Sequence, residues 1–297
     1  ECMRALDSED SFSAHLNADH FVRFCADDRV SEADCYNNFT RSFSNYKLSI
    51  PINLHIGIYD LCEQGITPFD MSYKALLAMQ SIKGDLNNRI CRYQVVMLSK
   101  EQEQLEILND VDEAIARDQF EVWFQPQVDY AQKKIVGAEA LVRWNHPEKG
   151  LISPASFIPV LEKSNYISKV DRYVFHKTCK YLQRWLAEMP DIDVQISVNL
   201  SRQDILLEGF VDSLDNAVQS YGIPRKALHL EVTESAYVEE AARLNVEVDK
   251  LRNRGFWVEI DDFGTGYSSL NTLKDINVDK LKLDMKFLSG DGGRKER

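Results

Sequence analysis

From residue 120 onward, short apolar runs alternate with longer segments in which apolar residues recur every three or four positions. The short runs are typical of strands, and the longer period is typical of helices that pack one face on a sheet. Helices are predicted near residues 170–189 and 210–221, and a third carries Leu244, Val248 and Leu251. The predicted strands cover residues 120–126, 134–144, 193–200, 227–232, 257–261 and 279–283. This alternation predicts an α/β fold.

The first two of these strands are joined by a short polar turn, which requires them to run antiparallel. The later strands alternate with helices, as in a (β/α)8 TIM-like barrel. The pattern therefore predicts a modified barrel with an antiparallel first strand. Six strands are countable where closure takes about eight, so we expect an incomplete barrel and a chain that is truncated at its C-terminus.

The N-terminal part of the chain mixes the two patterns differently and predicts a separate α+β region over residues 13–95. Its predicted elements are strands over 21–25, 54–59 and 90–93 and a helix over 72–83. The predicted organisation is a first domain over residues 1–97, a connecting helix over 98–118 and a barrel domain over 119–297.

The connecting segment lacks Pro and Gly and places Leu105, Leu108, Val111 and Ile115 at three- and four-residue steps. Such a stripe predicts one helix with an apolar face. Packing on the following domain and a coiled-coil seam both fit the stripe, and we favour packing.

With 297 residues, the chain has room for two domains. Acidic residues outnumber basic ones by 47 to 35, and the net charge of −12 argues against a surface that coats nucleic-acid polymers. No apolar run reaches the roughly 18–20 residues that cross a bilayer, and no signal peptide is recognisable. We expect a cytoplasmic protein, with membrane tethering through upstream segments left open.

Six cysteines are present and none forms a CxxC pair. Their mostly apolar neighbours predict reduced, buried thiols rather than a disulfide framework. The residues are Cys2, Cys25, Cys35, Cys62, Cys91 and Cys179.

Carboxylate and amide side chains recur at the ends of the predicted barrel strands. Thirty-two residues separate Asn199 from Glu231, and 30 separate Glu231 from Asp261, about one βα unit each. Because the carboxyl ends of barrel strands surround one mouth, we expect these side chains and Glu139 to converge there. Oxygen ligands suit Mg²⁺ or Mn²⁺, so the spacing predicts a metal-dependent enzyme. Taken singly, Glu139 could instead pair with Arg143, and Asn199 could cap its strand.

Two adjacent carboxylates, Asp261 and Asp262, repel each other unless cations screen them, and at a strand-to-loop bend both can reach a two-metal site. The glycine-containing segment 263–270 that follows fits a phosphate-binding loop, a lid or a tight turn. Glu234 is placed to cap the start of a helix. Lys282, among these carboxylates, is interpreted as an ion-pair partner more than as a catalyst.

Six motifs follow one another in a fixed order, including Glu139, Ala140 and Leu141 in sequence. They cover residues 125–126, 138–144, 197–201, 230–235, 261–267 and 281–284. With these motifs, residues from about 120 to 288 resemble the EAL domain of cyclic di-GMP phosphodiesterases. The resemblance implies hydrolysis of cyclic di-GMP to linear pGpG with two Mg²⁺ or Mn²⁺ ions, and a homodimer formed through this domain.

The resemblance also implies roles for individual residues. Glu139, Asn199, Glu231 and Asp261 would be metal ligands, and Asp262 would serve the second metal. Lys282 would hold or activate the attacking water, so that Glu139, Lys282 and Asp262 form the catalytic set. Gln125, Leu141 and Arg143 would contact the substrate, and Glu234 would anchor the loop 261–269. Later family motifs, including one metal-binding glutamate, would lie beyond Arg297, so we expect this chain to lack one ligand and two strands.

Residues 13–95 resemble the C-terminal part of a GGDEF diguanylate cyclase domain in a degenerate form. Its signature would fall at Asn17, Ala18, Asp19, His20 and Phe21. The two glycines that admit GTP phosphates are replaced by Asn17 and Ala18, and an acidic residue is replaced by His20. An upstream inhibitory Arg-x-x-Asp motif, which would fall at 8–11, is absent. We expect no cyclase activity and a regulatory or structural role.

Two other functions remain in view. A non-catalytic cyclic di-GMP receptor would bind the ligand without turnover, but it would not need the full set of metal ligands. A barrel hydrolase for another phosphodiester is disfavoured by the complete motif set.

Overall fold

The computed structural model describes residues 11–25, 32–44, 53–85, 87–190, 194–264 and 277–285. The chain divides into two compact units, Glu1–Leu105 and Glu106–Arg297. Among the described residues, no helix combines the length and apolar character that crossing a membrane requires.

The first unit contains an antiparallel hairpin and a small α/β arrangement. Strands β3 and β4 are parallel, and helix α2 lies between them in the chain. The elements are β1 Ser11–Asn17, β2 His20–Cys25, α1 Glu32–Ser44, β3 Ile56–Ile58, α2 Pro68–Gln80 and β4 Ile90–Arg92. The predicted α+β character of this region and its four predicted elements are confirmed.

Helix α2 begins at Pro68, four residues before the predicted start at residue 72, and ends at Gln80. Thr67 is the N-cap and accepts a hydrogen bond from the Asp70 N–H at 3.1 Å, while Pro68 occupies the first turn, where no N–H is needed. The helix packs tightly on β3 at Gly57, because a Cβ atom there would lie 1.9 Å from the Ala75 carbonyl oxygen. Only glycine permits this close approach.

The second unit is a curved sheet with helices on its outer face. Helix α3, Val95–Ala116, enters this unit from the first one. The strands are β5 Phe120–Asp129, β6 Lys134–His146, β7 Gly150–Ile152, β8 Ile196–Asn199, β9 Leu228–Thr233, β10 Trp257–Phe263 and β11 Lys280–Leu283. The helices are α4 Pro154–Lys163, α5 Ile167–Glu188, α6 Arg202–Ile205, α7 Phe210–Ser220 and α8 Glu234–Asn253.

The sheet order is β11-β10-β9-β8-β6-β5, with β7 paired to β6. Strand β5 is antiparallel to β6, and every pair from β6 through β8, β9 and β10 to β11 is parallel. The antiparallel start and the six predicted strands are therefore confirmed. Strand β7 and helices α4 and α6 were not predicted.

Alternate residues of the strands face the helices and form the core. Phe120 and Trp144 are fully buried with Phe157 of α4, and their ring centroids lie 4.9–5.8 Å apart. On the opposite face, Nζ of Lys280 on β11 lies 3.1 Å from Oε1 of Gln127 on β5. Because β11 and β5 are the two ends of the strand order, this contact shows that the face is concave. A mostly parallel sheet that curls in this way is consistent with a TIM-like barrel.

The predicted connecting helix is confirmed as α3, and its buried face overlaps most of the predicted apolar stripe. Ile107, Val111 and Ala114 are buried in the core of the second unit, which supports packing over a coiled-coil seam. Leu105, expected on the apolar face, is 53% exposed. Of the predicted stripe, Val111 is buried and Leu108 and Ile115 are partly buried against the same core, so only Leu105 was wrongly assigned to it.

The cysteine prediction is corrected in part. Cys25, Cys62, Cys91 and Cys179 are free thiols, as expected. Only Cys179 is buried, whereas Cys25 and Cys62 are exposed, because they end or follow short elements of the first unit rather than facing its core.

Candidate active site

The predicted site residues occupy neighbouring strands of the concave face. Glu139 lies in β6, Asn199 ends β8, Glu231 lies in β9, Asp261 lies in β10 and Lys282 lies in β11. Each neighbouring strand therefore contributes one polar side chain.

The side chains meet although the backbone register does not align them. Glu231 lies opposite Glu259 in the β9–β10 pairing, and Asp261 lies opposite Thr233. Strands of a curled sheet are tilted to its axis, so side chains at one height are staggered along adjacent strands. The tilt brings Asp261, rather than Glu259, to the level of Glu231.

The Lys282 ammonium lies among three carboxylates. Its Nζ donates hydrogen bonds to Oε2 of Glu139 at 2.8 Å and to Oε2 of Glu231 at 3.0 Å. It also lies 3.1 Å from Oδ1 of Asp261. Asn199 joins the group weakly, with its Nδ2 3.4 Å from Oε1 of Glu139. We name Glu139, Glu231 and Asp261 the carboxylate cluster.

The cluster is strongly perturbed electrostatically. Burial raises the pKa of Glu231 to about 8, and the charges of Glu139 and Asp261 act in the same direction, while Lys282 opposes them. Burial favours the neutral form of Lys282, but its hydrogen bond to Glu139 and the charge of Glu231 outweigh burial and raise its pKa well above the usual range. Lys282 is therefore a hydrogen-bond donor at neutral pH and has no capacity to accept a proton.

The carboxylate cluster fits a divalent cation. One oxygen from each of its three members lies within 4.8 Å of the others. Oε1 of Glu231 is buried and has no hydrogen-bond partner among the described residues. A buried charged oxygen is costly without a partner, and a hard cation supplies one.

Asp262 departs from the geometry expected for adjacent carboxylates. It takes a left-handed backbone conformation with φ of 55°, and its N–H donates to Oδ1 of Asp261 at 2.9 Å. Burial raises the pKa of Asp262, and the charges of Asp261 and Asp284 raise it further. Asp262 lies outside the carboxylate cluster but remains electrostatically coupled to it.

Glu234 lies at the first position of α8 and is buried. Its Oε2 accepts a hydrogen bond from the Gly264 N–H at 2.7 Å. This bond ties the segment after β10 to the start of α8, as the anchoring role requires. Residues 265–270 of the expected loop lie outside the described residues.

The substrate-contact candidates form a wall beside the cluster on β5 and β6. Gln125 lies opposite Glu139 in the strand register, and Leu141 lies opposite Trp123. Arg143 does not pair with Glu139; its Nη1 donates to the Val142 carbonyl at 2.8 Å, and its guanidinium lies 5.5 Å from the centroid of the Trp123 ring. The alternative pairing of Glu139 with Arg143 is therefore wrong.

A second polar layer, which sequence reasoning missed, lies beneath the first. Its members on β8 to β11 each precede a site residue by two positions, and its member on β5 follows Gln125 by two positions, so all five face the same side. The layer consists of Gln127, Ser197, His229, Glu259 and Lys280. The sequence signal was available: polar residues at the same spacing as the site residues, within strands that are otherwise apolar.

Glu259 is the centre of this second layer. Its side chain is fully buried and accepts hydrogen bonds from Ser197 Oγ at 3.2 Å and from Lys280 Nζ at 3.1 Å, and it is bonded to His229 Nδ1. Burial alone would raise the pKa of Glu259, but the hydrogen bond to His229 and the charge of Lys280 lower it to about 2. Glu259 is thus a paired, ionised carboxylate below the site.

Comparison with known proteins connects this geometry with a family. The model of the EAL domain matches residues 108–297. The protein MucR of Pseudomonas aeruginosa, a bifunctional diguanylate cyclase/cyclic di-GMP phosphodiesterase, is 34% identical over 281 residues, covering 93% of this chain and 41% of MucR. A cyclic di-GMP phosphodiesterase of the same bacterium is 29% identical over 244 residues, covering 81% of this chain and 41% of the relative.

The structural comparison agrees. The solved structure of the PaMucR phosphodiesterase in complex with c-di-GMP is similar with a TM-score of 0.58 and 38% sequence identity. The similarity covers 62% of this chain and 74% of that one. The chain spans about two fifths of the length of the two curated relatives.

Proposed function

Because the chain belongs to the EAL domain family, we propose that it is a metal-dependent phosphodiesterase that hydrolyses cyclic di-GMP to linear pGpG. The observation that carries the proposal is the meeting of Glu139, Glu231 and Asp261 around the Lys282 ammonium. Relatives named as cyclic di-GMP phosphodiesterases, and a related structure that contains c-di-GMP, support the substrate.

Glu139, Glu231 and Asp261 would hold a divalent cation, with the Asn199 amide as a further ligand and Asp262 serving a second ion. Oxygen-only ligands favour Mg²⁺ or Mn²⁺ over softer metals. When bound, such ions neutralise charge on the phosphoryl oxygens and favour ionisation of the attacking water.

Lys282 would orient the attacking water as a hydrogen-bond donor, because its ammonium group lies beside the carboxylate cluster. Asp262 would accept the proton of that water, since the raised pKa of its carboxyl makes it a better base than an ordinary aspartate. A P–O bond would form to the water oxygen while the P–O bond to one ribose 3′ oxygen breaks. That 3′ oxygen would take up a proton from solvent, which leaves a 5′-phosphate and a free 3′-hydroxyl in pGpG.

The wall formed by Gln125, Leu141 and Arg143 would position the dinucleotide against the carboxylate cluster. Arg143 is the cation of this wall and would contact the anionic or purine part of the substrate. Glu234 would hold the segment after β10 in place through the Gly264 N–H.

A non-catalytic cyclic di-GMP receptor is the second candidate. It would use the same wall, but the buried Glu231 carboxylate, 1% exposed, would then be a costly group without a purpose. This observation favours the enzyme.

One incubation distinguishes the enzyme from the non-catalytic receptor. Purified full-length protein is mixed with cyclic di-GMP and Mn²⁺, and the nucleotides are separated by chromatography. The enzyme converts the ligand to pGpG, whereas a receptor binds it and returns it intact. Intact nucleotide after saturating binding would overturn the proposed enzymatic function.

For the first unit we propose a partial, degenerate GGDEF-like domain without cyclase activity. Its would-be signature lies at the tip of the β1–β2 hairpin, where Ala18 has a φ of 40°.

We further propose the domain division at residues 97 and 118, a cytoplasmic location and homodimerisation through the EAL domain. Sedimentation of the protein with and without cyclic di-GMP tests the dimer.

A further inference from the structure

An exposed tryptophan lies in the wall beside the carboxylate cluster. Along β5, Val122 and Phe124 face the helices, and the ring centroids of Phe124 and Trp185 on α5 lie 4.8 Å apart. Residues between them must face the concave side, as Gln127 does through its contact with Lys280. Trp123 is therefore on the concave side, two residues from Gln125, and is 48% exposed.

The orientation of Trp123 is fixed by polar contacts. Its indole Nε1–H donates to Oε2 of Glu121 at 3.0 Å. The other oxygen of Glu121 accepts a hydrogen bond from Nδ2 of Asn145 at 3.1 Å, on the adjacent strand β6. Glu121 thus joins the ring to the neighbouring strand.

The surroundings of Trp123 suit a flat, electron-rich ligand. The Arg143 guanidinium lies 5.5 Å from the ring centroid, and Leu141 is its partner across the strand pair. Single exposed aromatic residues are common and need no function. Trp123 differs because it is held in a defined orientation and lies on the same wall as the cluster.

A second exposed aromatic residue of the same hairpin gives the contrast. Tyr130 is 85% exposed, and the Lys133 ammonium lies 3.3 Å from its ring centroid. This pair lies at the β5–β6 turn, at the end of the strands away from Glu121 and Arg143. It is chemically similar to the Trp123–Arg143 pair but outside the wall.

We propose that Trp123 is a stacking platform for one guanine base of the substrate, held in place by Glu121 and flanked by Arg143. The proposal rests on the proposed function, because it assigns a binding role within that site. Purine faces stack on indole rings and on guanidinium planes, and such stacking is a principal source of affinity in nucleotide recognition. Trp123 would act on binding and leave the chemistry at the carboxylate cluster unchanged.

The test compares Trp123→Ala, Trp123→Phe and the control Tyr130→Ala in steady-state hydrolysis with Mn²⁺. We expect Trp123→Ala to raise KM by about 10- to 100-fold with kcat within about twofold of the original. Trp123→Phe, which keeps a π-face, should retain most of the affinity, and Tyr130→Ala should match the original protein. Mn²⁺ affinity, measured by calorimetry, should be the same in all four proteins.

Fluorescence provides a readout that a structural role would not change. Cyclic di-GMP should quench the emission of the original protein, and Trp123→Phe should lose most of that quenching while the other three tryptophans remain. An unchanged KM in Trp123→Ala, or undiminished quenching in Trp123→Phe, would overturn the platform. If the unsubstituted protein neither binds nor hydrolyses cyclic di-GMP, the proposed function fails instead, and that result is obtained before any variant is compared.

Discussion

At the scale of single residues, Lys282 and a divalent cation compete for the same oxygens. The ammonium lies 2.8–3.1 Å from one oxygen of each member of the carboxylate cluster. A bound cation would therefore displace or reorient this side chain, and the two roles of Lys282, in balancing charge and in positioning water, can be separated.

We predict that Lys282→Met raises the affinity for Mn²⁺ by at least about tenfold. The same variant should hydrolyse cyclic di-GMP about 100- to 1000-fold more slowly. The gain follows because a competing positive charge is removed, and the loss follows because a positioned donor is removed. Calorimetry measures the first effect and pGpG release the second. Lys149→Met, which breaks a surface ion pair with Glu106, is the control. Weaker Mn²⁺ binding by Lys282→Met would contradict the prediction.

The pKa of Glu231 predicts how metal binding depends on pH. A cation binds the carboxylate form, and Glu231 in the metal-free protein has a pKa of about 8 instead of about 4.5. The affinity for Mn²⁺ should therefore rise with pH up to about 8 and then level off, with a proton released below that pH. Calorimetry in buffers of different ionisation enthalpy counts the proton. An Mn²⁺ affinity that stays constant from about pH 6 to about pH 8 would exclude the raised pKa of Glu231.

The same shift affects stability, with a definite sign. Folded protein holds the Glu231 proton more tightly than unfolded protein, so this group stabilises the metal-free fold at low pH. That contribution is lost as the pH rises from about 4.5 through about 8. Mn²⁺ should remove the loss by binding the ionised folded form.

At the scale of elements, the second polar layer joins β8, β9, β10 and β11 through Glu259. We predict that Glu259→Ala lowers the free energy of unfolding by about 3 kcal/mol or more, because it leaves His229 and Lys280 without their shared carboxylate. Glu188→Ala, which breaks an exposed pair with Arg184 on α5, should lower the free energy of unfolding far less. Urea unfolding at pH 7 measures both, and equal costs would show that the layer contributes little.

The elements also show what the sequence could predict. The strands of the second unit were predictable because each is a short apolar run between turn signals, as in β9 and β10. Helix α4 was missed because Pro154 and Pro159 make it look like a loop, although Pro154 occupies the first turn, where its missing N–H costs nothing. Strand β7 has three residues, too few to show a period.

The candidate site was predictable from the sequence to about the same extent as the strands and helices. The once-per-strand spacing indicated that Glu139, Asn199, Glu231, Asp261 and Lys282 belong together, and the structure brings them together. The position of Lys282 within the cluster required the strand tilt, which no local pattern records. Trp123 was missed because an aromatic residue in a strand is ordinarily a core residue, and only the register with Leu141 places it on the wall.

At the scale of the whole molecule, the two units are expected to differ in activity. We predict that the protein makes no cyclic di-GMP from GTP, because Asn17 and Ala18 carry Cβ atoms where glycines would admit phosphates closely. His20 also cannot replace a metal-binding carboxylate in charge. The measurement uses Glu139→Gln, so that any product would accumulate rather than be hydrolysed. Accumulation of cyclic di-GMP above the level of a protein-free control would contradict the prediction.

The central claim is that the carboxylate cluster of the second unit holds the cations that make this chain a cyclic di-GMP phosphodiesterase. The most direct measurement is the initial rate of pGpG release as Mn²⁺ is added back to chelator-treated full-length protein, for the unsubstituted protein, Glu139→Gln and the exposed control Glu148→Gln. We predict no release without metal, a saturable rise for the original protein and Glu148→Gln, and a rate lowered by at least about 1000-fold for Glu139→Gln at every Mn²⁺ concentration. Undiminished release in excess chelator, or in Glu139→Gln, would contradict the account.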